Sequence, residues 1–219
     1  MRGARRIARL ALCACAALIA LGACSKARAP ATLQRASKPD ATASLAGRVL
    51  FAGDPDALSR GVVFLKDVDA ERARNATSVK LEHVNGRLVP SFSAVERGGE
   101  LTIVNRDAIY HSAFSLSRPN GFSFRAYAPG TRVGLRLSEP GVIRIYCRIH
   151  EGEAATLFVA PGPLARPSHD GHFAFREVPA GRFLLGAWAE GAAGVSREIT
   201  LRAGERAQQD VLLVPARGE

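Results

Sequence analysis

Beyond Met1 the sequence contains no methionine, and of its four cysteines (Cys13, Cys15, Cys24 and Cys147) only Cys147 lies past residue 24. A body with one thiol can close no disulfide of its own, which excludes the disulfide-stapled class of small exported domains. No segment carries a sustained helical period of apolar residues, which argues against a helical bundle. Dense Lys/Arg runs and aromatic-interleaved basic stripes are also missing, although the formal net charge is +10. Four of the 30 basic residues, Arg2, Arg5, Arg6 and Arg9, crowd the N-terminus, and without them the balance falls to +6. Scattered charge of that size fits a solvated surface and no nucleic acid partner. The apolar run Leu10 to Leu21 is too short to span a bilayer comfortably, and with the preceding arginines it reads as an export leader.

The leader ends in Leu21-Gly22-Ala23-Cys24, which resembles the lipobox of bacterial lipoproteins. That resemblance implies a signal peptide over 1–23, cleavage before Cys24, and lipidation of Cys24. Several acyl chains there give a stable lipid anchor, and the protein is expected on the periplasmic side of the bacterial cell envelope. Residues 24–43 are rich in Ala, Ser and Pro with almost no large apolar residues, the composition of a flexible tether.

The remainder reads as all-β. Residues 44–68 give strand, turn, strand around Gly53-Asp54-Pro55, followed by a polar bridge, Asp69 to Thr77, whose Asn75-Ala76-Thr77 reads as loop. Residues 78–160 hold successive short strands, 79–83, 88–92, 100–104, 111–116, 132–137 and the runs around Cys147 and His150. They are punctuated by Asn85-Gly86, Gly98-Gly99, Asn120-Gly121, Pro129-Gly130 and Pro140-Gly141, the signature of a sandwich or barrel. After Pro161-Gly162-Pro163, residues 163–215 return to strands and turns. Asp170-Gly171-His172-Phe173-Ala174-Phe175 and Val178-Pro179-Ala180-Gly181 there resemble carboxypeptidase regulatory-like, transthyretin-type modules. The opening strands of such a module stand at 47–65, so the central domain is expected to sit inside a split module, with a plain tandem as the alternative.

Chemistry concentrates between Pro140 and Val159. The alternating run Val142, Ile143, Ile145 delivers Cys147 to a strand end, His150 follows three residues later, and Glu153 precedes a second β-rich run. A thiolate and an imidazole three apart on a tight loop can face one ion, and that pair suits copper or zinc better than magnesium or calcium. His111, from another strand, is the candidate third donor.

Asn105 to Leu116 and Gly141 to His150 together resemble the cupredoxins, the plastocyanin-like blue-copper proteins, and especially their methylamine-utilisation-type branch. The likeness covers about 83 of the 219 residues. It implies a Greek-key β-sandwich over 78–160 binding one copper through His111, Cys147 and His150, with single-electron transfer as the function. It also implies a hydrogen bond from the Ser112 amide or hydroxyl to the sulfur, the backbone of Asn105 with an apolar collar (Ile109, Tyr110, Phe114, Tyr146, Ile149) limiting water, and His150 as the electron exit. Glu153 is the departure, standing where that branch carries an axial methionine. Either its carboxylate binds axially, lowering the potential, or it points to solvent.

Of the remaining residues, His83 reads as a surface or sheet-face histidine, His169 and His172 as solvated turn residues, and Trp188 as core of the tail module. The expected function is a membrane-anchored copper protein passing electrons to an unidentified redox partner protein, not an enzyme. The alternatives are an envelope binding or assembly module, and copper sequestration or delivery.

Overall fold

The computed structural model describes residues 42–51, 53, 55–67 and 77–216. The leader, Cys24, most of the tether and nearly all of the 69–77 bridge lie outside them. Among the described residues eighteen strands build two sandwiches, and the one helical element is a short 3-10 turn, Pro55–Arg60.

The chain starts in the outer sandwich with β1 (Thr42–Phe51) and β2 (Gly61–Asp67). Thr42 and Ala43, expected at the end of the tether, already pair with Pro179 and Val178. Ala43 is too small to mark a strand by hydrophobicity, yet it is buried. The inner sandwich follows: β3 (Ser78–Val84), β4 (Arg87–Val89), β5 (Phe92–Glu96), β6 (Glu100–Asn105), β7 (Ala113–Ser115), β8 (Phe122–Ser123), β9 (Arg132–Arg136), β10 (Gly141–Cys147) and β11 (Ala154–Ala160). The chain then returns to the outer sandwich as β12 (Leu164–Ala165), β13 (His172–Pro179), β14 (Gly181–Ala189), β15 (Ala192–Ala193), β16 (Val195–Leu201), β17 (Arg206–Gln208) and β18 (Val211–Pro215).

In the outer sandwich one sheet runs β13-β1-β18-β15 with β17 also on β1, and the other runs β12-β2-β14-β16. Their inward faces enclose Leu45, Val63, Leu65, Phe173, Phe175, Phe183, Leu185 and Leu201. In the inner sandwich the sheets run β4-β3-β6-β9 and β5-β11-β10-β7-β8, and the core between them includes Leu81, Leu101, Ile103, Leu137, Ile143, Ile145 and Leu157, all fully buried. Each such side chain removed from water contributes about 1.5–3 kcal/mol.

Residues 88–92, expected as one strand, are divided. Pro90 has no N–H to give a ladder, and around it the chain passes from β4 in one sheet to β5 in the other. Alternation is regular along β10, where Ile143, Ile145 and Cys147 point inward and Arg144 and Tyr146 outward. It fails along β11, buried from Ala155 to Ala160, because the outer sandwich covers its second face. Phe158 and Ala160 there meet Phe92 and Val62, with Phe64 and Trp188 packed against them. Trp188 stacks on Phe158 at 5.3 Å and Phe92 at 5.9 Å between ring centroids. It is therefore a joint between the sandwiches, where the sequence suggested the tail's own core. Beside it, Glu190 accepts from Arg144 of β10 at 2.5 Å and pairs with Arg60, while Arg144 also donates to Thr156 Oγ1 at 2.9 Å.

Candidate metal centre

The β10–β11 hairpin fixes two of the donors by its own ladder. Cys147 pairs with Ala113 across β7, its N–H donates to the Glu153 carbonyl at 3.0 Å, and Arg148 N–H donates to the Ser112 carbonyl at 2.8 Å. Gly152, at φ +75°, takes the left-handed step that closes the loop and turns Glu153 inward. His111 comes from a neighbouring segment and is held by a two-way bridge with Tyr127, His111 N–H to Tyr127 O at 3.2 Å and Tyr127 N–H to His111 O at 2.8 Å.

One donor atom from each of His111, Cys147, His150 and Glu153 lies within 4.8 Å of the others. His111 Nδ1 stands 3.7 Å from Cys147 Sγ, 3.2 Å from His150 Nδ1 and 3.0 Å from Glu153 Oε2. His150 Nδ1 stands 3.6 Å from the same sulfur and 3.5 Å from the same oxygen. His111, Cys147 and Glu153 are buried, and His150 alone keeps 29% of its side chain exposed. Glu153 is 2% exposed, which excludes the solvent-pointing alternative: its neighbours are hydrogen-bond partners and potential ligands, not water.

The far side of His111 decides its tautomer. Nε2 faces Asp107 Oδ2 at 3.1 Å, so a ring that ligates through Nδ1 carries its proton at Nε2 and donates it to that carboxylate. The backbone amides of Gly86 and Asn85 hold the Asp107 carboxyl below the usual carboxylate range. They donate to it at 3.0 and 2.6 Å. Those amides are available because Asn85 (φ 53°) and Gly86 (φ 70°) form the two-residue hairpin turn joining β3 to β4, which suits the primed turn geometry. Two nitrogens, one sulfur and one oxygen fit copper or zinc.

His83 is the residue the sequence misplaced. It is wholly buried on the inward face of β3, with Nδ1 2.5 Å from Glu153 Oε1 and Nε2 2.5 Å from the Tyr127 hydroxyl. Its ring also stacks on His111, centroids 4.0 Å apart. Burial pushes the His83 imidazole down despite Glu153, and burial pushes the Tyr127 phenol up. Burial also raises the Glu153 carboxyl, but hydrogen bonds from His83 and Cys147 outweigh it and hold the group below its ordinary value. A neutral His83 then accepts from Tyr127 at Nε2 and donates from Nδ1 to Glu153. The alternation of Val79, Leu81 and His83 along β3 was the available signal, since it puts His83 on the same face as buried Leu81.

The other expectations divide. Asn105 is buried and braces the loop, donating to Ile109 O at 2.7 Å and Tyr127 O at 3.3 Å and accepting from Asp107 N–H at 3.0 Å. The Ser112 hydroxyl donates to Phe124 O at 2.9 Å, not to the sulfur, because a backbone carbonyl is the stronger acceptor in reach. The expected apolar collar does not close over the donors. Ile109, Tyr110, Tyr146 and Ile149 are 42 to 57% exposed, and Tyr146 falls on the outward alternation of β10. His83, Tyr127 and Asn105 pack the interior side instead. His169 is an 85% exposed loop residue, whereas His172, expected in a turn, opens β13 with its side chain 60% exposed; both lie apart from this group.

No protein-family model and no curated protein matches the sequence. Among solved structures, a purple cupredoxin from Nitrosopumilus maritimus is 19% identical, with a TM-score of 0.34 over 37% of this chain and 98% of its own. An amicyanin variant in its Cu(I) form is 15% identical, with a TM-score of 0.34 over 37% of this chain and 81% of its own. A copper-containing nitrite reductase from Thermus scotoductus is 19% identical, with a TM-score of 0.36 over 51% of this chain but 28% of its own. The likeness to these cupredoxins is distant and partial, and the chemistry of the site rests on its own side chains.

Proposed function

We propose that the protein binds one copper ion at His111, Cys147, His150 and Glu153 and transfers single electrons, without substrate chemistry of its own. The convergence of their four donor atoms within 4.8 Å carries this reading. Copper, when bound, supplies a one-electron couple between Cu(II) and Cu(I). The β10–β11 hairpin carries Cys147, His150 and Glu153, and the segment entering β7 carries His111, so their spacing is set by the ladders of one sheet and changes little with redox state. His150 is the donor with an exposed edge, and exposed Ile109, Tyr110 and Ile149 leave an apolar surface at which a redox partner protein can dock. The leader and the lipobox-like Leu21-Gly22-Ala23-Cys24 support a lipid-anchored position on the periplasmic side of the bacterial envelope.

Titration with Cu(II) tests the reading. An intense thiolate-to-copper absorption band that saturates at one equivalent and disappears in Cys147→Ser is expected; a wild-type protein with no such band sinks it. A second reading is copper sequestration or delivery. Transfer of copper to an acceptor protein, without reversible cycling at an electrode, distinguishes it.

A further inference from the structure

His83 contributes no donor to the four-atom group, yet it touches two of its members. It binds the Glu153 oxygen that faces away, Oε1, while Oε2 lies 3.0 and 3.5 Å from the two histidine nitrogens, and its ring lies flat against His111. Tyr127 grips its other nitrogen, and its carbonyl accepts from Arg106 N–H at 3.0 Å, so both ring and backbone are fixed.

We propose that His83 is a positioning residue that fixes Glu153 as a one-oxygen donor, tying Oε1 back so that Oε2 alone serves the metal. This deepens the copper reading and rests on it. A glutamate side chain has three rotatable bonds, and ordering it at the moment of binding costs rotamer freedom. The Tyr127–His83–Glu153 chain meets that cost during folding. It presents one hard donor, Oε2, beside two nitrogens and a sulfur, and a carboxylate freed from His83 swings away from the ion. Such an oxygen favours Cu(II) over Cu(I). His83 therefore governs the potential without touching the ion.

The test uses the copper-loaded full chain. His83→Phe keeps a flat ring against His111 but has no hydrogen bond for Glu153. It should weaken Cu(II) binding about tenfold to a hundredfold in a chelator competition. The same variant should raise the reduction potential and move the EPR spectrum toward that of Glu153→Gln. His83→Asn, whose amide nitrogen stands near the Nδ1 position, should restore part of both signals. In a Glu153→Met background, adding His83→Phe should shift neither, since the two act as one unit. Wild-type spectrum and potential in His83→Phe, or an undiminished shift in the Glu153→Met background, overturns the proposal. Should His83→Phe fail to fold, Tyr127→Phe must move the same signals in the same direction, and unchanged signals overturn it equally. A wild-type protein that lacks the thiolate-to-copper band removes the copper reading and this proposal with it; a wild-type band with an unmoved His83→Phe removes only the role of His83.

Discussion

A carboxylate among two imidazoles and a thiolate is what distinguishes this donor set, and Glu153 is its most consequential residue. Glu153→Met exchanges a hard anionic oxygen for a soft thioether, which favours Cu(I). Voltammetry should show a higher reduction potential for that variant, and an unchanged potential would mean Oε2 does not reach the ion. Asp107 acts one bond further out, on His111 Nε2. Asp107→Ala should lower Cu(II) affinity about tenfold to a hundredfold, the usual cost of losing a hydrogen-bond partner of a ligating histidine. Cys147 and His150 stood out in the sequence as a lone thiol with a histidine three residues on, and His111 and Glu153 through the cupredoxin-like spacing around them. His83 and Tyr127 did not, because their partners are 70 and 44 residues away and a strand histidine has no local mark; Asp107 lies four residues from His111, but the amides that hold it are 22 and 21 residues away. The hydroxyl of Ser112 was not legible in its bonding, since a hydroxyl rotates to whichever acceptor is nearest.

At the scale of elements, two tight turns transmit strand geometry to the site. The Asn85-Gly86 turn offers its amides to Asp107, and the β10–β11 loop closes on Gly152. A Cβ at Gly152 meets nothing within 4 Å, so Gly152→Ala adds only the penalty of the left-handed backbone, about 1–2 kcal/mol. The expected result is a lower thermal midpoint, with the larger loss in the copper-loaded form because the loop carries His150 and Glu153. Equal losses in loaded and metal-free protein would show that the loop is not part of the site. The turns and most strands were legible because Asn-Gly and Pro-Gly pairs separate alternating runs. The division of 88–92 and the role of Trp188 were not, because both depend on which sheet a strand joins and what covers its second face.

For the whole molecule, the joint between the sandwiches combines the Phe92, Phe158 and Trp188 stack with the Glu190 pairs to Arg60 and Arg144. Burial raises the Glu190 carboxyl, but Arg144 and Arg60 more than offset it and hold it below its ordinary value. A depressed folded pKa stabilises the fold above the unfolded value, about 4.3, and that contribution is lost as the pH falls through the folded one. Wild type should therefore exceed Glu190→Gln by up to about 1 kcal/mol in denaturant unfolding at pH 7. The gap should close below pH ~4; a gap independent of pH would assign the effect to packing alone.

The proposed function depends on one ion meeting sulfur, nitrogen and oxygen from this chain together. X-ray absorption at the copper edge of the Cu(II)-loaded protein measures that contact directly. The account predicts one sulfur neighbour from Cys147, two imidazoles and one further light atom that is altered in Glu153→Met. A spectrum with nitrogen and oxygen neighbours but no sulfur would contradict it.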